Sequence, residues 1–150
     1  MDELRARLSS DLKDAMRAHD EVRRETIRYL NAALKNAEIA AMHPLTDDEA
    51  EAVLVAQIKQ RRDSIEQFRV ASRQDLVDKE AAELEVLSAY LPAAPTDDEV
   101  AAAINAAISS TGAVGPKDMG KVVRVVLEQY PGRVDGKVVA TQVRDALSNR

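Results

Sequence analysis

This 150-residue chain contains no cysteine and no tryptophan, and aromatic residues make up only 3% of it. The lack of cysteine excludes disulfides, thiolate metal sites and cysteine nucleophiles. With so few aromatic side chains, the core has to be built from leucine, isoleucine, valine and alanine. Mixed with glutamate, lysine and arginine, these residues favour helices. We therefore expect a helical protein.

Long apolar runs are also absent, so we expect no membrane span. The N-terminal residues lack the basic and apolar segments of a signal peptide, and together these features predict a cytoplasmic protein. Residues 1–91 hold 14 Lys and Arg against 19 Asp and Glu, whereas residues 111–150 hold 7 against 4. This contrast indicates either random variation on a solvated surface or a weakly basic tail suited to a phosphate backbone. The net charge of −5 argues against nonspecific nucleic-acid binding by the whole chain.

Apolar periodicity predicts four helices before Pro92. Thr46 begins the third as a cap with Glu49 as its capping-box partner, and Ser72 is a candidate cap for the fourth. The residues expected to face the core are Leu4, Leu8, Leu12 and Met16; Ile27, Leu30, Leu34, Ala37 and Ala41; Val53 or Leu54, Ile58, Ile65 and Phe68; and Leu76, Val77, Ala81, Leu84, Leu87 and Leu91.

Three more helices are predicted after a linker at residues 92–95. Thr96 caps the fifth, Gly112 ends it, Pro116 lies in the first turn of the sixth, and Asp135 caps the seventh. The valines at 122–126 also suit a strand, but the chain offers no partner strand. The expected core residues are Val100, Ile104 and Ile108; Met119, Val122, Val123, Val126, Leu127 and Tyr130; and Val139, Val143 and Leu147. We predict an all-α protein with a four-helix N-terminal domain, residues 1–92, and a small three-helix C-terminal domain, residues 93–150.

The patterns typical of catalytic sites are incomplete. Residues 115–121 have the glycine and lysine spacing of a phosphate loop, but Val122 stands where Ser or Thr is required, and a helix precedes the loop instead of a strand. His19 and His43 have no second ligand at helical spacing, and no serine lies in a nucleophile elbow. We therefore expect no nucleotide cofactor, no metal and no catalytic residue.

Four of the five glycines lie between Gly115 and Val139, beside Asp and Lys at two predicted helix starts. Glycine inside a helix costs about 1 kcal/mol relative to alanine. Gly120 therefore indicates a close helix crossing or the close approach of a ligand, with Lys117, Lys121 and Arg124 placed to reach a phosphate. Gly132 and Gly136 are interpreted as turn residues.

A second basic cluster, residues 59–62, lies on the third predicted helix. Asp63 and Glu66 follow it at spacings that suit ion pairs with Lys59 and Arg62. We interpret this cluster as a salt-bridged helix face in preference to a phosphate site.

Five segments carry a family resemblance: residues 58–65 (IKQRRDSI), 73–77 (RQDLV), 83–92 (ELEVLSAYLP), 116–122 (PKDMGKV) and 132–137 (GRVDGK). Through them the chain resembles the GatB/YqeY family, in particular its small free-standing YqeY-type members. The resemblance implies an N-terminal helical domain followed by a small helical domain. It also implies that the latter is akin to the tail domain of the B subunit of tRNA-dependent amidotransferases, which helps to hold the tRNA.

The same resemblance implies a family-level activity, carbon–nitrogen ligation with glutamine as amide donor. The catalytic centres of the amidotransferase lie outside its tail, and nothing in residues 1–91 resembles them. We therefore expect a non-catalytic tRNA-binding or amidotransferase-associated module. The alternative is a protein-interaction module in which the acidic helices of residues 1–91 dock an unidentified partner. By position, the resemblance transfers a tRNA-facing role to Lys117, Gly120, Lys121, Gly132, Arg133, Gly136 and Lys137.

Overall fold

The computed structural model describes residues 1–149 and is all-helical, with seven α helices, one short 3-10 helix and no strand in that range. The all-α prediction is confirmed, and the valines at 122–126 lie in a helix. The 3-10 helix is Pro116–Asp118. The α helices are α1 (Asp2–Arg17), α2 (Glu21–Ala41), α3 (Asp47–Val70), α4 (Gln74–Ser88), α5 (Asp97–Thr111), α6 (Met119–Gln129) and α7 (Gly136–Ser148).

Polar side chains fix the start of four helices. Thr46 and Thr96 accept hydrogen bonds from the backbone N–H groups three residues further on, at 3.2 and 3.1 Å. Asp20 accepts from the N–H of Arg23 at 3.1 Å and caps α2, and Asp135 accepts from the N–H of Lys137, two residues on, at 2.9 Å and caps α7. Each cap stabilises its helix by about 1 kcal/mol. Gly112, with φ of 68°, ends α5 in the left-handed conformation, as predicted.

The ends of α4 differ from the prediction. Ser72 does not cap this helix: its φ of 57° is left-handed, whereas a capping residue needs an extended conformation. At the other end α4 stops at Ser88, three residues before Leu91. The chain there tightens into turns in which Tyr90 and Leu91 donate to carbonyls three residues back. Such turns satisfy the last helical carbonyls before Pro92.

Contacts group the chain into two compact units, Met1–Leu91 and Pro92–Arg150. In the first unit α2 packs against α1, α3 and α4, and α3 packs along α4. Met16 was expected in this core but is half-exposed, and Ala15 is buried instead. A strict four-residue spacing drifts by about 40° per step on a helix of 3.6 residues per turn, so Met16 leaves the face that Leu8 occupies. The buried residues of this core are Leu8, Ile27, Leu30, Leu34, Leu45, Ala50, Leu54, Ile58 and Leu87.

The Tyr90 side chain ties the end of α4 to α1 and α2. Its hydroxyl donates to Asp11 Oδ2 at 2.5 Å, and Asp11 Oδ1 lies 3.3 Å from an Arg23 guanidinium nitrogen. The Arg7 guanidinium lies 4.7 Å from the centre of the Tyr90 ring and donates to the carbonyl of Ala89 at 2.8 Å. Burial, and then the bond to Asp11, raise the pKa of Tyr90, so its phenol stays protonated and acts as a donor.

In the second unit α6 packs against both α5 and α7. All six residues predicted to face the core from α5 and α7 are buried. The core residues are Val100, Ala103, Ile104, Ala107, Ile108, Ala113, Val122, Val126, Val139, Val143 and Leu147. The division into two separately folding domains at residue 92 stays a prediction.

Candidate phosphate-binding surface

A short irregular segment leads from α5 into α6. After Gly112 the backbone is extended at Gly115, with φ of −159°, and residues 116–118 form the 3-10 turn. Pro116 therefore begins this turn and not α6 itself, which starts at Met119. The fixed φ of proline suits the first position of either helix type.

Asp118 holds this segment in place. Its carboxylate accepts a hydrogen bond from the N–H of Val114 at 3.1 Å. That bond is the main cause that lowers the pKa of Asp118, and the N–H of Gly115 and the charges of Lys121 and Lys117 lower it further. The carboxylate is therefore ionised at neutral pH and contributes one negative charge beside the two lysines.

Four predicted site residues form one exposed face, which we call the α6 surface: Lys117, Gly120, Lys121 and Arg124. Spacings of three and four residues place them on the same side. None of the three cations forms an ion pair within residues 1–149. The predicted close helix crossing at Gly120 is wrong, because a Cβ atom built there would meet nothing within 4 Å.

The other four predicted residues lie beyond the opposite end of α6. This helix has 11 residues and is about 16 Å long, so Gly132, Arg133, Gly136 and Lys137 do not join the α6 surface. Gly132 has φ of 70° and is a turn residue, as predicted. Gly136 is instead the first residue of α7.

Arg133 has a structural environment that the sequence does not reveal. Its guanidinium lies 5.3 Å from the centre of the Tyr130 ring and donates to the carbonyl of Ala93 at 3.5 Å. The side chain is half-buried. Arg133 therefore joins the α6–α7 turn to residue 93, and it is less suited than Lys121 or Arg124 to a contact with a bulky phosphate backbone.

The first unit contains one charged cluster, formed by Arg61, Glu80 and Glu83, that the sequence did not predict. Arg61 Nε lies 2.9 Å from Glu83 Oε2 and 3.5 Å from Glu80 Oε2, and its guanidinium is 5.7 Å from the centre of the Tyr29 ring. The Arg61 side chain is only 11% exposed. Burial, and then the charge of Glu83, raise the pKa of Glu80. The three-residue spacing of the glutamates was the only available signal.

Within the basic cluster at residues 59–62, Arg61 therefore forms ion pairs with another helix and not along its own helix face. Arg61 points towards α4, while Glu66 further along α3 pairs with Arg69 at 3.0 Å. Within residues 1–149 no three His, Asp or Glu side chains lie close enough to share a metal ion. No helix in that range is long and apolar enough to cross a membrane.

The residues of the α6 surface and of the Arg61 cluster lie within a region that matches a known protein family over most of the chain. The sequence pattern of the Yqey-like protein family matches residues 5–147. The chain belongs to the YqeY family. A protein of Pyrenophora tritici-repentis, named "Altered inheritance of mitochondria protein 41, mitochondrial", is 35% identical over 144 residues. The match covers 94% of this chain and 79% of that protein.

Two yeast proteins of the same name match shorter regions. The Lachancea thermotolerans protein is 42% identical over 106 residues, covering 70% of this chain and 56% of the relative. The Saccharomyces cerevisiae protein is 37% identical over 94 residues, covering 62% and 51%. The match thus spans about half the length of these yeast YqeY relatives.

The names of these relatives contradict the predicted cytoplasmic location, since each is called mitochondrial. The prediction depended on the lack of a signal peptide and of long apolar runs. Those features separate secreted and membrane proteins from other proteins, but they do not distinguish the cytoplasm from the interior of a mitochondrion. The cytoplasmic prediction is therefore withdrawn.

Proposed function

We propose that this YqeY-family protein is a non-catalytic tRNA-binding module that contacts phosphates through the α6 surface. The observation that carries the proposal is a row of three exposed cations, Lys117, Lys121 and Arg124, with open space above Gly120. Positive charge attracts a phosphate backbone. The missing Cβ lets a phosphate oxygen approach the helix more closely than any other residue would allow.

The charge balance at this surface supports the proposal. Asp118 lies close enough to Lys117 and Lys121 for their charges to lower its pKa. Its carboxylate also accepts a hydrogen bond from the N–H of Val114. Asp118 and the exposed Glu128, four residues after Arg124, place two carboxylates against the three cations, which leaves the surface with a net charge of +1. At physiological salt, charges more than about 8 Å apart are largely screened, so the overall charge of −5 does not decide binding here.

The choice of tRNA over another polyanion is supported by the resemblance of the C-terminal region to the amidotransferase tail. The α6 surface itself offers phosphate contacts, which position a nucleic acid but do not select its sequence. We therefore expect binding that tolerates different tRNA sequences. Competition with double-stranded DNA of the same length measures how much the shape of the tRNA contributes.

The test is a double substitution, Lys121→Glu with Arg124→Glu, assayed by fluorescence anisotropy with labelled tRNA across a salt series. We expect tRNA affinity to fall about tenfold or more, and the slope of log affinity against log salt to become smaller by about two. Arg133 is not used, because its half-buried side chain packs on Tyr130.

A matched control separates local contacts from overall charge. Lys13→Glu with Lys35→Glu makes the same change in net charge at two exposed positions on α1 and α2. This variant should keep nearly the tRNA affinity and salt slope of the wild type. If both double variants lose affinity equally, or if the unaltered chain binds no tRNA, the proposed function is wrong.

We do not propose the family-level ligase activity for this chain. The glutamates that come together, Glu80 and Glu83, are engaged with Arg61 in an ion-paired cluster between α3 and α4. A test is to incubate the purified chain with ATP, glutamine and mischarged tRNA. Amidated product formed by the chain alone would show that it is an enzyme.

The alternative function is a protein-interaction module in residues 1–91. Three large apolar side chains on or next to α2 support it: Tyr29, Ile39 and Met42 are 62%, 67% and 90% exposed. Ile39 and Met42, three residues apart, lie close together at the end of α2, and neighbouring exposed apolar side chains are typical of protein interfaces. This function requires a specific partner that residues 1–91 retain and that Ile39→Asp releases, with tRNA binding unchanged.

A further inference from the structure

The outer face of α2 carries a regular row of exposed side chains. Steps of three and four residues place its six positions on one side of the helix, and this is the spacing with which helices pack against each other in coiled coils. The outer side of a surface helix is ordinarily polar, yet four of the six residues are apolar. These residues, which we call the α2 row, are Val22, Glu25, Tyr29, Ala32, Asn36 and Ile39, all of them exposed.

The α2 row lies opposite the side of α2 that is buried in its own unit. The buried residues of this helix are Thr26, Ile27, Leu30 and Leu34, and α2 packs against α1, α3 and α4. With 3.6 residues per turn, the middle of the row at Ala32 points away from this buried side. Another helix can therefore pack on the row without any change in the core.

The α2 row is complementary to itself when two copies of α2 run in opposite directions. In an antiparallel pair the sum of two facing residue numbers stays constant along the helices. If Tyr29 of one copy faces Ala32 of the other, then Val22 faces Ile39 and Glu25 faces Asn36. A twofold axis repeats each pair. The pairs combine a large ring with a small residue, two β-branched apolar side chains, and a carboxylate with an amide.

The polar pair has free hydrogen-bonding groups. Glu25 uses only its Oε1 atom, which accepts from Arg24 Nε at 3.0 Å and from Arg28 Nη1 at 3.1 Å. Neither Glu25 Oε2 nor the Asn36 amide forms a hydrogen bond within residues 1–149. The Asn36 N–H of one copy is therefore free to donate to Glu25 Oε2 of the other.

The charges favour the antiparallel over the parallel arrangement. In a parallel pair Glu25 would face its own copy, and like charges directly opposite each other are destabilising. In the antiparallel pair Arg28 and Lys35 lie opposite each other beside the row, but each has a carboxylate of its own. Arg28 donates to Glu25, and Glu38, whose pKa is lowered by Arg5 and to a smaller extent by Lys35, lies near that lysine.

We propose that two copies of this chain associate through the α2 row, with their α2 helices antiparallel. One helix pair makes a small interface, so this association is weak and reversible. The proposal commits to a second copy as the occupant of the row, because the row pairs with itself. It does not involve the α6 surface and stands whether or not the chain binds tRNA.

The absence of cysteine from the chain makes disulfide crosslinking a clean test. Val22→Cys and Ile39→Cys are made separately in the full chain, mixed and oxidised. We expect several-fold more linked dimer in the mixture than in either variant alone, because equivalent residues lie about 26 Å apart along an antiparallel pair. The matched control replaces Ile39→Cys with Val70→Cys, at an exposed valine of α3, and should give no excess of linked dimer.

Sedimentation equilibrium of the full chain measures the association without a crosslink. Ala32→Glu places a carboxylate where the Tyr29 ring of the other copy packs, and we expect it to raise the Kd of the dimer about tenfold or more. Ala102→Glu makes the same change at an exposed position of α5 and should leave the Kd unchanged.

Three results would overturn the proposal. The first is a wild type that sediments as a monomer at every concentration, which would leave the α2 row to a different partner. The second is a single-cysteine variant that links to itself as readily as the mixture does, which would indicate parallel or random contacts. The third is an equal Kd for Ala32→Glu and Ala102→Glu.

Discussion

Replacing Tyr90 with Phe removes the one hydroxyl that joins the end of α4 to α1. The bond from Tyr90 to Asp11 is 2.5 Å long, and its acceptor is a carboxylate whose side chain is only 21% exposed. A hydrogen bond to a charged group contributes about 1.5–3 kcal/mol. Asp11 keeps Arg23 at 3.3 Å, and the ring keeps the Arg7 guanidinium at 4.7 Å. We therefore expect a loss near the lower limit, about 1.5 kcal/mol.

Urea denaturation followed by far-ultraviolet circular dichroism measures this loss as a lower free energy of unfolding. Thermal denaturation should show a decrease in Tm of about 3–6 °C, as expected for 1.5 kcal/mol in a chain of 150 residues. The matched control is Tyr29→Phe. Tyr29 is 62% exposed, and its hydroxyl forms no hydrogen bond within residues 1–149, so the change should stay within about 0.5 kcal/mol.

A double-mutant cycle between Tyr90→Phe and Asp11→Asn isolates the pair. We expect a coupling energy of about 1 kcal/mol, since the two side chains are in direct contact. The reasoning is refuted if Tyr90→Phe is as stable as the wild type. It is equally refuted if the effects of the two substitutions are simply additive.

Two further predictions concern a buried charge and the glycines. Glu80→Gln should raise the free energy of unfolding at neutral pH, because burial and Glu83 raise the pKa of Glu80 and its ionised form is disfavoured in the fold. The difference in free energy of unfolding between the variant and the wild type should shrink as pH falls through that raised pKa, because Glu80 is then protonated and neutral. Urea denaturation at several pH values measures this difference, and a difference that does not change with pH would contradict the prediction. Gly120→Ala should stabilise by up to about 1 kcal/mol, since its Cβ meets open space inside a helix. Gly112→Ala, at φ of 68°, should destabilise by about 1 kcal/mol. A lower Tm for Gly120→Ala would contradict the first of these statements, and a higher Tm for Gly112→Ala would contradict the second.

Local signals were enough to predict most of the helices. Thr46, Thr96 and Asp135 cap helices where expected, because a cap depends only on residues within one turn. The apolar periodicity of α7 correctly placed Val139 and Val143 in the core, because residues four apart share one face of a helix. Met16 was placed wrongly because a four-residue repeat was treated as a straight stripe. Ser72 was placed wrongly because its left-handed backbone conformation is not visible in the residue type.

The site was less predictable, since it depends on contacts between residues far apart in sequence. Arg133 is held by Tyr130 and the carbonyl of Ala93, and no spacing rule predicts a bond across 40 residues. The α3–α4 packing that brings Arg61 to Glu83 is non-local as well. Gly120 shows the reverse case: the residue was correctly selected as unusual, but the helix packing inferred from it is absent.

The most direct test of the central claim compares tRNA binding by three proteins across a salt series: the wild type, Lys121→Glu with Arg124→Glu, and Lys13→Glu with Lys35→Glu. The account predicts that the α6 variant alone loses about tenfold in affinity, with a salt slope smaller by about two. Equal binding by all three proteins would contradict the assignment of the α6 surface. Absence of binding by the wild type would contradict the function itself.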